Sequence, residues 1–337
     1  GASEAMTTLE LFSKTVDASG GMVADAILRL LGTHETDHIR TMVREAVQNS
    51  GDAQAGDEAP TFRMHVRTLT QAQGHALRER VLTGDVIEKT LARRIGRIHH
   101  QPKIPVIEIS DHGTHGLAGP DRADIATGDR DNHWASFVLN IGQDASKADG
   151  GGTYGFGKSS LYVASRASTV CIYTRTRDEH GEPVTRFIAA ALSAGFEDED
   201  RKYSGRHWWG VVSEDEEYAA PLTGEAADDL ARSLGMTVRG ESDFGTSALV
   251  LQPFMGETGA EEVNTRELAA VLHESLVVHC WPLMHPANDP SIRFELLHEN
   301  QPIEIADPAS EPIFAEFTRS LDQVRELDAS SEGGEYE

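Results

Sequence analysis

Apolar residues recur at helical spacing over 21–31 and again over 37–49, where Ile39, Met42, Val43, Ala46 and Val47 fall on one stripe of an amphipathic helix. Residues 61–70 alternate as a half-buried strand does. The stretch 75–99 reads as a basic helix carrying Arg93, Arg94 and Arg97, and 104–110 as an apolar strand running into Asp111. From 114 to 152 the chain is rich in Gly, Asp and Ala, with one apolar stretch at 134–141, so a long functional loop that buries little is expected there. A helix over 158–165 follows, then strands over 169–176, 184–193 and 246–252. Between the last two, residues 197–229 are strongly acidic and interrupted by Trp208 and Trp209, which predicts a solvated surface insertion held by a buried aromatic anchor. A helix over 265–283, a strand–turn–strand over 291–305 and an acidic tail complete the pattern.

A chain of 337 residues holds one large domain or two unequal ones. The pattern divides it into an arm at 1–20, a main domain over 21–255 and the start of a second domain over 256–337. The arm begins Gly1-Ala2-Ser3, which reads as a cleavage scar, with Met6 as the natural start. Apolar residues at 39% and charged residues at 25% give the balance of a folded protein and exclude overall disorder. Charge narrows the classes further: 55 acidic against 30 basic side chains leave a net charge of -25. That field repels phosphate polymers unless a local basic patch overrides it. Cys171 and Cys280 have no metal-ligand spacing and read as reduced, buried thiols. No apolar run approaches a membrane span and no signal segment is visible, so a cytoplasmic protein without membrane contact is expected.

Two sequences carry candidate phosphate chemistry. Residues 152–159, GTYGFGKS, satisfy G-x-x-x-x-G-K-[ST], the pattern of a P-loop nucleotidase. A P-loop is entered from a buried strand, and the ten residues before Gly152 are polar. The other is the helix from Asp37, which reads R-E-A-V-Q-N-S-G-D-A and places Glu45 and Asn49 four apart on one face, with Asp52 at its end. A carboxylate and an amide so spaced can divide phosphoanhydride hydrolysis, Glu45 deprotonating the attacking water and Asn49 offering its carbonyl oxygen to Mg²⁺. An ordinary helix with a polar face would carry the same residues. Further on, I-S-D-H-G-T-H-G sets Asp111 at a strand end where it can accept from an exocyclic amine, and Gly113 and Gly116 let backbone approach a flat base. Then come Gly152, Gly155 and Gly157 opening a helix, and F-G-T-S-A-L-V-L with Thr246 leading into a strand.

These four elements in this order, over about residues 20–255, resemble the GHKL ATPase family of gyrase B, the heat-shock chaperone, histidine kinases and MutL. The resemblance implies an α+β protein with the Bergerat fold, a two-layer α/β sandwich of mixed sheet and helical layer under an ATP lid, here 114–152. It implies that ATP and Mg²⁺ are bound. Glu45 then corresponds to the general base, Asn49 to the Mg²⁺ ligand, Asp52 to a pocket support and Asp111 to the reader of the adenine amine. Gly113 and Gly116 shape the base pocket, and Thr246 backs Asp111. Gly152, Gly155, Phe156, Gly157, Lys158 and Ser159 form the phosphate-binding turn. One departure stands out: His115 adds a residue between the glycines of the usual D-x-G-x-G. The glutamate, and the absence of room for a phospho-accepting helix before residue 21, point to the gyrase, chaperone, MutL and MORC side. There ATP closes the lid and two protomers dimerise, and a transducer domain follows, similar in placement to 256–337. The expected function is an ATPase motor within a larger DNA-acting complex with partner subunits, similar to bacterial MORC-like modules of restriction or antiphage systems. The alternatives are a non-hydrolysing ATP-gated interaction module and a P-loop enzyme built on 152–159.

Overall fold

The computed structural model describes residues 6–20, 35–128, 132–141, 156–213, 215–254, 264–284, 292–307, 319, 322 and 323, with 35–37 and 156–158 described by backbone alone. Strand β1 (Glu10–Thr15) precedes helix α1 (Glu35–Asp52) and strand β2 (Thr61–Thr68). Helix α2 (Gln71–Ala76) runs into a π-helical turn (Leu77–Val81), followed by α3 (Lys89–His100) and β3 (Pro105–His112). A second π-helical turn (Ala135–Leu139) and α4 (Phe156–Val163) lead to β4 (Thr169–Arg177), β5 (Pro183–Leu192), β6 (Phe196–Asp198) and β7 (Arg201–Ser213). Then come β8 (Tyr218–Ala220), β9 (Leu222–Thr223), α5 (Gly224–Ser233), β10 (Gly245–Leu251), α6 (Thr265–Met284), β11 (Arg293–His298) and β12 (Gln301–Ile303).

The strands form one mixed sheet in the order β1-β7-β5-β4-β10-β3-β2-β11-β12, with the small strands β6 and β8 on β7 and β9 on β5. Every pairing is antiparallel except β11 with β2. The protein is thus of mixed α and β type, as the pattern predicted. The layering differs from the two-layer expectation, because helices cover both faces. On one face Val170, Ile172, Ile188, Ala190 and Trp208 pack with Ile39, Met42, Val43 and Val47 of α1, Leu161 of α4 and Leu268, Leu272 and Leu276 of α6. On the other, Cys171, Tyr173, Phe187, Ala189 and Trp209 pack with Leu77 and Val81, with Leu91, Ile95 and Ile98 of α3, and with Leu230 and Ala231 of α5. The central strands read as continuous apolar runs for this reason: neighbouring residues point into different cores.

Three other expectations are corrected. Residues 75–99 are two helical pieces, because the chain breaks after Val81, Gly84 turns at φ +71°, and the Glu88 side chain restarts a helix by accepting from Leu91 N–H at 2.6 Å. The acidic stretch 197–229 is no surface insertion, since β7 lies inside the sheet between β1 and β5. Its acidic residues flank β7 at 197–200 and 214–217 or lie on α5, while Trp208 and Trp209, being adjacent in a strand, enter opposite cores. Trp208 Nε1 donates to Val138 O at 3.0 Å and Trp209 Nε1 to Thr83 O at 2.8 Å, so each indole fixes a loop of its own layer to the sheet. Position 255/256 is not a boundary between cores either. β11 extends the sheet beside β2, with Arg63 and Glu295 paired across it at 2.6 Å, and α6 packs on α1 within the same hydrophobic core. The arm likewise contributes β1 at the sheet's edge. The helix expected over 21–31 and the acidic tail lie outside the described residues, apart from 319, 322 and 323. No helix of the described residues is long and apolar enough to cross a membrane.

One buried histidine yields a pH prediction. His207 on β7 is fully buried, with Ser13 Oγ at 2.7 Å from Nδ1 and Ser193 Oγ at 2.9 Å from Nε2. Burial pulls it from 6.5 down to about 4. Between those values the unfolded chain takes up a proton that the folded chain refuses, so stability is complete above the unfolded value and declines as pH falls toward 4. The contribution is on the order of 2–3 kcal/mol. Thermal melts of wild type and His207→Gln between pH 7 and 4.5 should therefore converge as pH falls, the variant losing less. Parallel curves would contradict this.

Candidate functional site

β3 ends at the surface beside the C-terminal half of α1 and the start of β10, and the three enclose a cavity of about 280 Å³. Asn49, Ser50 and Asp52 come to it from α1, Asp111 from β3, and Thr246 and Ala248 from β10. Thr114, His115, Gly116 and Leu117 line it from the turn after β3, and Asn132, His133, Ser136 and Phe137 from the second π-helical turn and the residues before it. Five residues that the sequence nominates for nucleotide binding, Asn49, Asp52, Asp111, Gly116 and Thr246, are thereby brought together from segments far apart in the chain.

Asp111 is the centre of the hydrogen bonding. Its Oδ1 accepts from Thr246 N–H at 2.8 Å and from Thr114 Oγ1 at 2.9 Å, and its Oδ2 accepts from Ser50 Oγ at 3.1 Å. A carboxylate has about four acceptor sites, so Oδ2 keeps one that suits an N–H donor, on a residue that lines the cavity. Backbone and side chain are both fixed. Arg239 Nη2 donates to the Asp111 carbonyl at 2.8 Å and to Ser247 Oγ at 2.9 Å, and Nη1 to Asp243 Oδ1 at 3.3 Å. Burial pulls the Arg239 guanidinium below its ordinary range, against the opposing pull of Asp111 and Asp243. Asp243 also takes His112 Nδ1 at 2.7 Å. Burial would raise the Asp243 carboxyl, but the His112 bond and the Arg239 charge outweigh it and hold it below the usual range.

Glycine is required twice here. Gly116 turns at φ +67°, and a Cβ there would collide with the Arg175 carbonyl oxygen. At Gly245 a Cβ would strike the Asp111 carbonyl oxygen and crowd Asp111 Oδ1. Gly113, with φ +78°, reverses the chain after β3 but does not line the cavity. The extra residue His115 is absorbed by the turn: its Nδ1 meets Gly116 O at 2.7 Å, and its ring stacks on His133 with centroids 4.2 Å apart.

Thr246 Oγ1 lies 3.1 Å from Thr174 Oγ1, which also receives Leu117 N–H at 3.0 Å. The Asn49 carboxamide makes no hydrogen bond among the described residues, which leaves its carbonyl oxygen available to a ligand. Glu45 sits one turn earlier on α1, outside the cavity lining, with 12% of its side chain exposed and Arg44 Nη2 at 3.5 Å. Ser159 is buried in α4. Phe156, Gly157 and Lys158 belong to the first turn of α4, and Gly152 and Gly155 lie outside the described residues. Among the described residues no group of three or more His, Cys, Asp or Glu side chains could hold a metal by itself. Residues 129–131 and 142–152 of the expected lid also lie outside them.

The described part of the lid segment corrects the expectation that it buries little. Leu117, Ala118, Trp134, Val138, Leu139 and Ile141 are buried. Arg186 reaches Leu117 O at 3.2 Å and Gly119 O at 2.8 Å with its guanidinium over the Trp134 ring, and Arg206 Nη1 holds Leu139 O at 2.8 Å. Sequence reasoning missed Ser50, Thr114 and Arg239. Ser50 and Thr114 stand inside the quoted motifs, and their hydroxyls beside a carboxylate were the available signal. Arg239 carries no local pattern, because its contact to Asp111 spans 128 positions. No protein-family model matches the chain, and no curated protein matches it.

Proposed function

We propose that this chain is a Mg²⁺-dependent, ATP-hydrolysing module of GHKL type, with the sheet, helical layer and lid of a Bergerat fold. The observation that carries the reading is the single cavity lined by Asn49, Asp52, Asp111, Gly116 and Thr246, which come from three separate sequence motifs. The layer formed by α2, α3 and α5 lies on the face of the sheet opposite the cavity. Asp111 would accept the adenine amine on Oδ2, with Thr246 and Gly116 beside the base. Asn49 suits a Mg²⁺ ion that is bound otherwise by phosphates and water, since such ions commonly take one or two protein ligands. The ion would neutralise phosphate charge. Glu45, one turn up the same helix face, would orient the attacking water and take its proton. The first turn of α4, with Gly157, Lys158 and Ser159, would face the phosphates together with Gly152 and Gly155.

Turnover would reset lid closure and an ATP-dependent homodimer in a cytoplasmic complex of several subunits acting on DNA, of the restriction or antiphage kind. Steady-state phosphate release by the purified chain, with and without DNA, tests the proposal. Slow release that a chelator abolishes is expected. ATP binding without release would convert the reading to an ATP-gated interaction module.

A further inference from the structure

We propose that the exposed face of α3 is a docking surface for the phosphate backbone of duplex DNA. Lys89, Arg93, Arg97 and His100 follow one another at steps of four, four and three residues, so they form one ridge along the helix, and Lys103 follows just beyond its end. All five are exposed, while Leu91, Ile95 and Ile98 of the same helix are buried against the sheet. The side chains of Lys89, Arg93, Arg97 and Lys103 make no ion pair among the described residues. In a chain with a net charge of -25, unneutralised cations gathered on one helix are a local reversal of sign. The one carboxylate at the helix start, Glu88, is engaged as the cap on Leu91 N–H.

The occupant follows from what the ridge lacks. A protein partner needs an aromatic or apolar centre, and of the exposed large apolar side chains among the described residues only Ile87 is next to this segment in sequence. A double-stranded RNA reader places neutral donors on 2′-hydroxyls, and Thr90 is the only exposed hydroxyl of α3. Cations alone fit phosphates, which position a protein on DNA without reading sequence. The eight steps from Lys89 to Arg97 rise about 12 Å, the axial span of roughly three or four phosphates on one strand. This surface is independent of the nucleotide site.

The test is binding of a fluorescent 20-base-pair duplex of mixed sequence to the full chain, titrated across salt concentrations. Four phosphate contacts predict a slope of log K on log salt of about -3.6. Binding should be indifferent to sequence. The triple variant Lys89→Glu, Arg93→Glu, Arg97→Glu should bind at least ten-fold more weakly at low salt and lose about 2.7 from the slope. Its melting temperature should match wild type because the three side chains are exposed. Unchanged DNA binding in a folded triple variant overturns the proposal. So does equal binding of double-stranded RNA with the same slope, or wild-type self-association without DNA binding that the variant loses, which would assign the ridge to an acidic face of a second copy.

Discussion

Asp111→Asn is expected to weaken ATP binding by about 30-fold or more while leaving the protein folded. The reason lies in the three donors that the carboxylate already accepts. An amide nitrogen in the Oδ1 position would face Thr246 N–H, a backbone donor that cannot turn away. The amide must therefore place its nitrogen at Oδ2, where the Ser50 hydroxyl can rotate to accept from it. That same nitrogen then meets the adenine amine donor to donor. Losing a carboxylate bond and leaving a buried mismatch costs roughly 2–3 kcal/mol, about 30- to 150-fold in affinity. Isothermal titration with ATP checks this. Retained affinity in Asp111→Asn together with complete loss in Lys158→Ala would transfer the nucleotide to a P-loop at 152–159.

Removing the base has a different signature. In Glu45→Ala, turnover should fall by about 10²–10⁴-fold with ATP affinity nearly intact, because the water loses its partner and the nucleotide does not. The structure sharpens this expectation, since Glu45 lies outside the cavity lining and its one ion pair is with a largely exposed arginine, so truncation leaves no buried charge alone. Phosphate release and a binding titration on the same sample separate the two effects. Parallel loss of both would make Glu45 structural. Light scattering should also show Glu45→Ala accumulating as a dimer in ATP, with hydrolysis no longer resetting the equilibrium.

What the sequence revealed was local. The stripe of Ile39, Met42, Val43 and Val47 is on α1 and faces the core, and the alternation over 61–70 is β2, because both signals come from residues a few positions apart. The motif residues of α1, β3 and β10 meet in one cavity for a related reason, as each motif includes the turn or helix end that aims it. The failures share a cause as well. The acidic residues that flank β7 hid it, and its place in the sheet depends on β1 and β5, partners distant in sequence. The parallel pairing of β11 with β2 joins residues more than 200 positions apart, so the place of β11 in the main sheet leaves no local signal. The glycines and aspartates of 114–128 suggested a free loop. What fixes the described part is Arg186 and Arg206 on β5 and β7, and no window around residue 117 contains them.

A structure of the chain with Mg²⁺ and a non-hydrolysable ATP analogue tests the central claim most directly. The account predicts the adenine amine within hydrogen-bond distance of Asp111 Oδ2, with Thr246 and Gly116 against the base and the Asn49 carbonyl oxygen on the ion. A nucleotide seated elsewhere, with Asp111 still facing a cavity that holds only water, would contradict it.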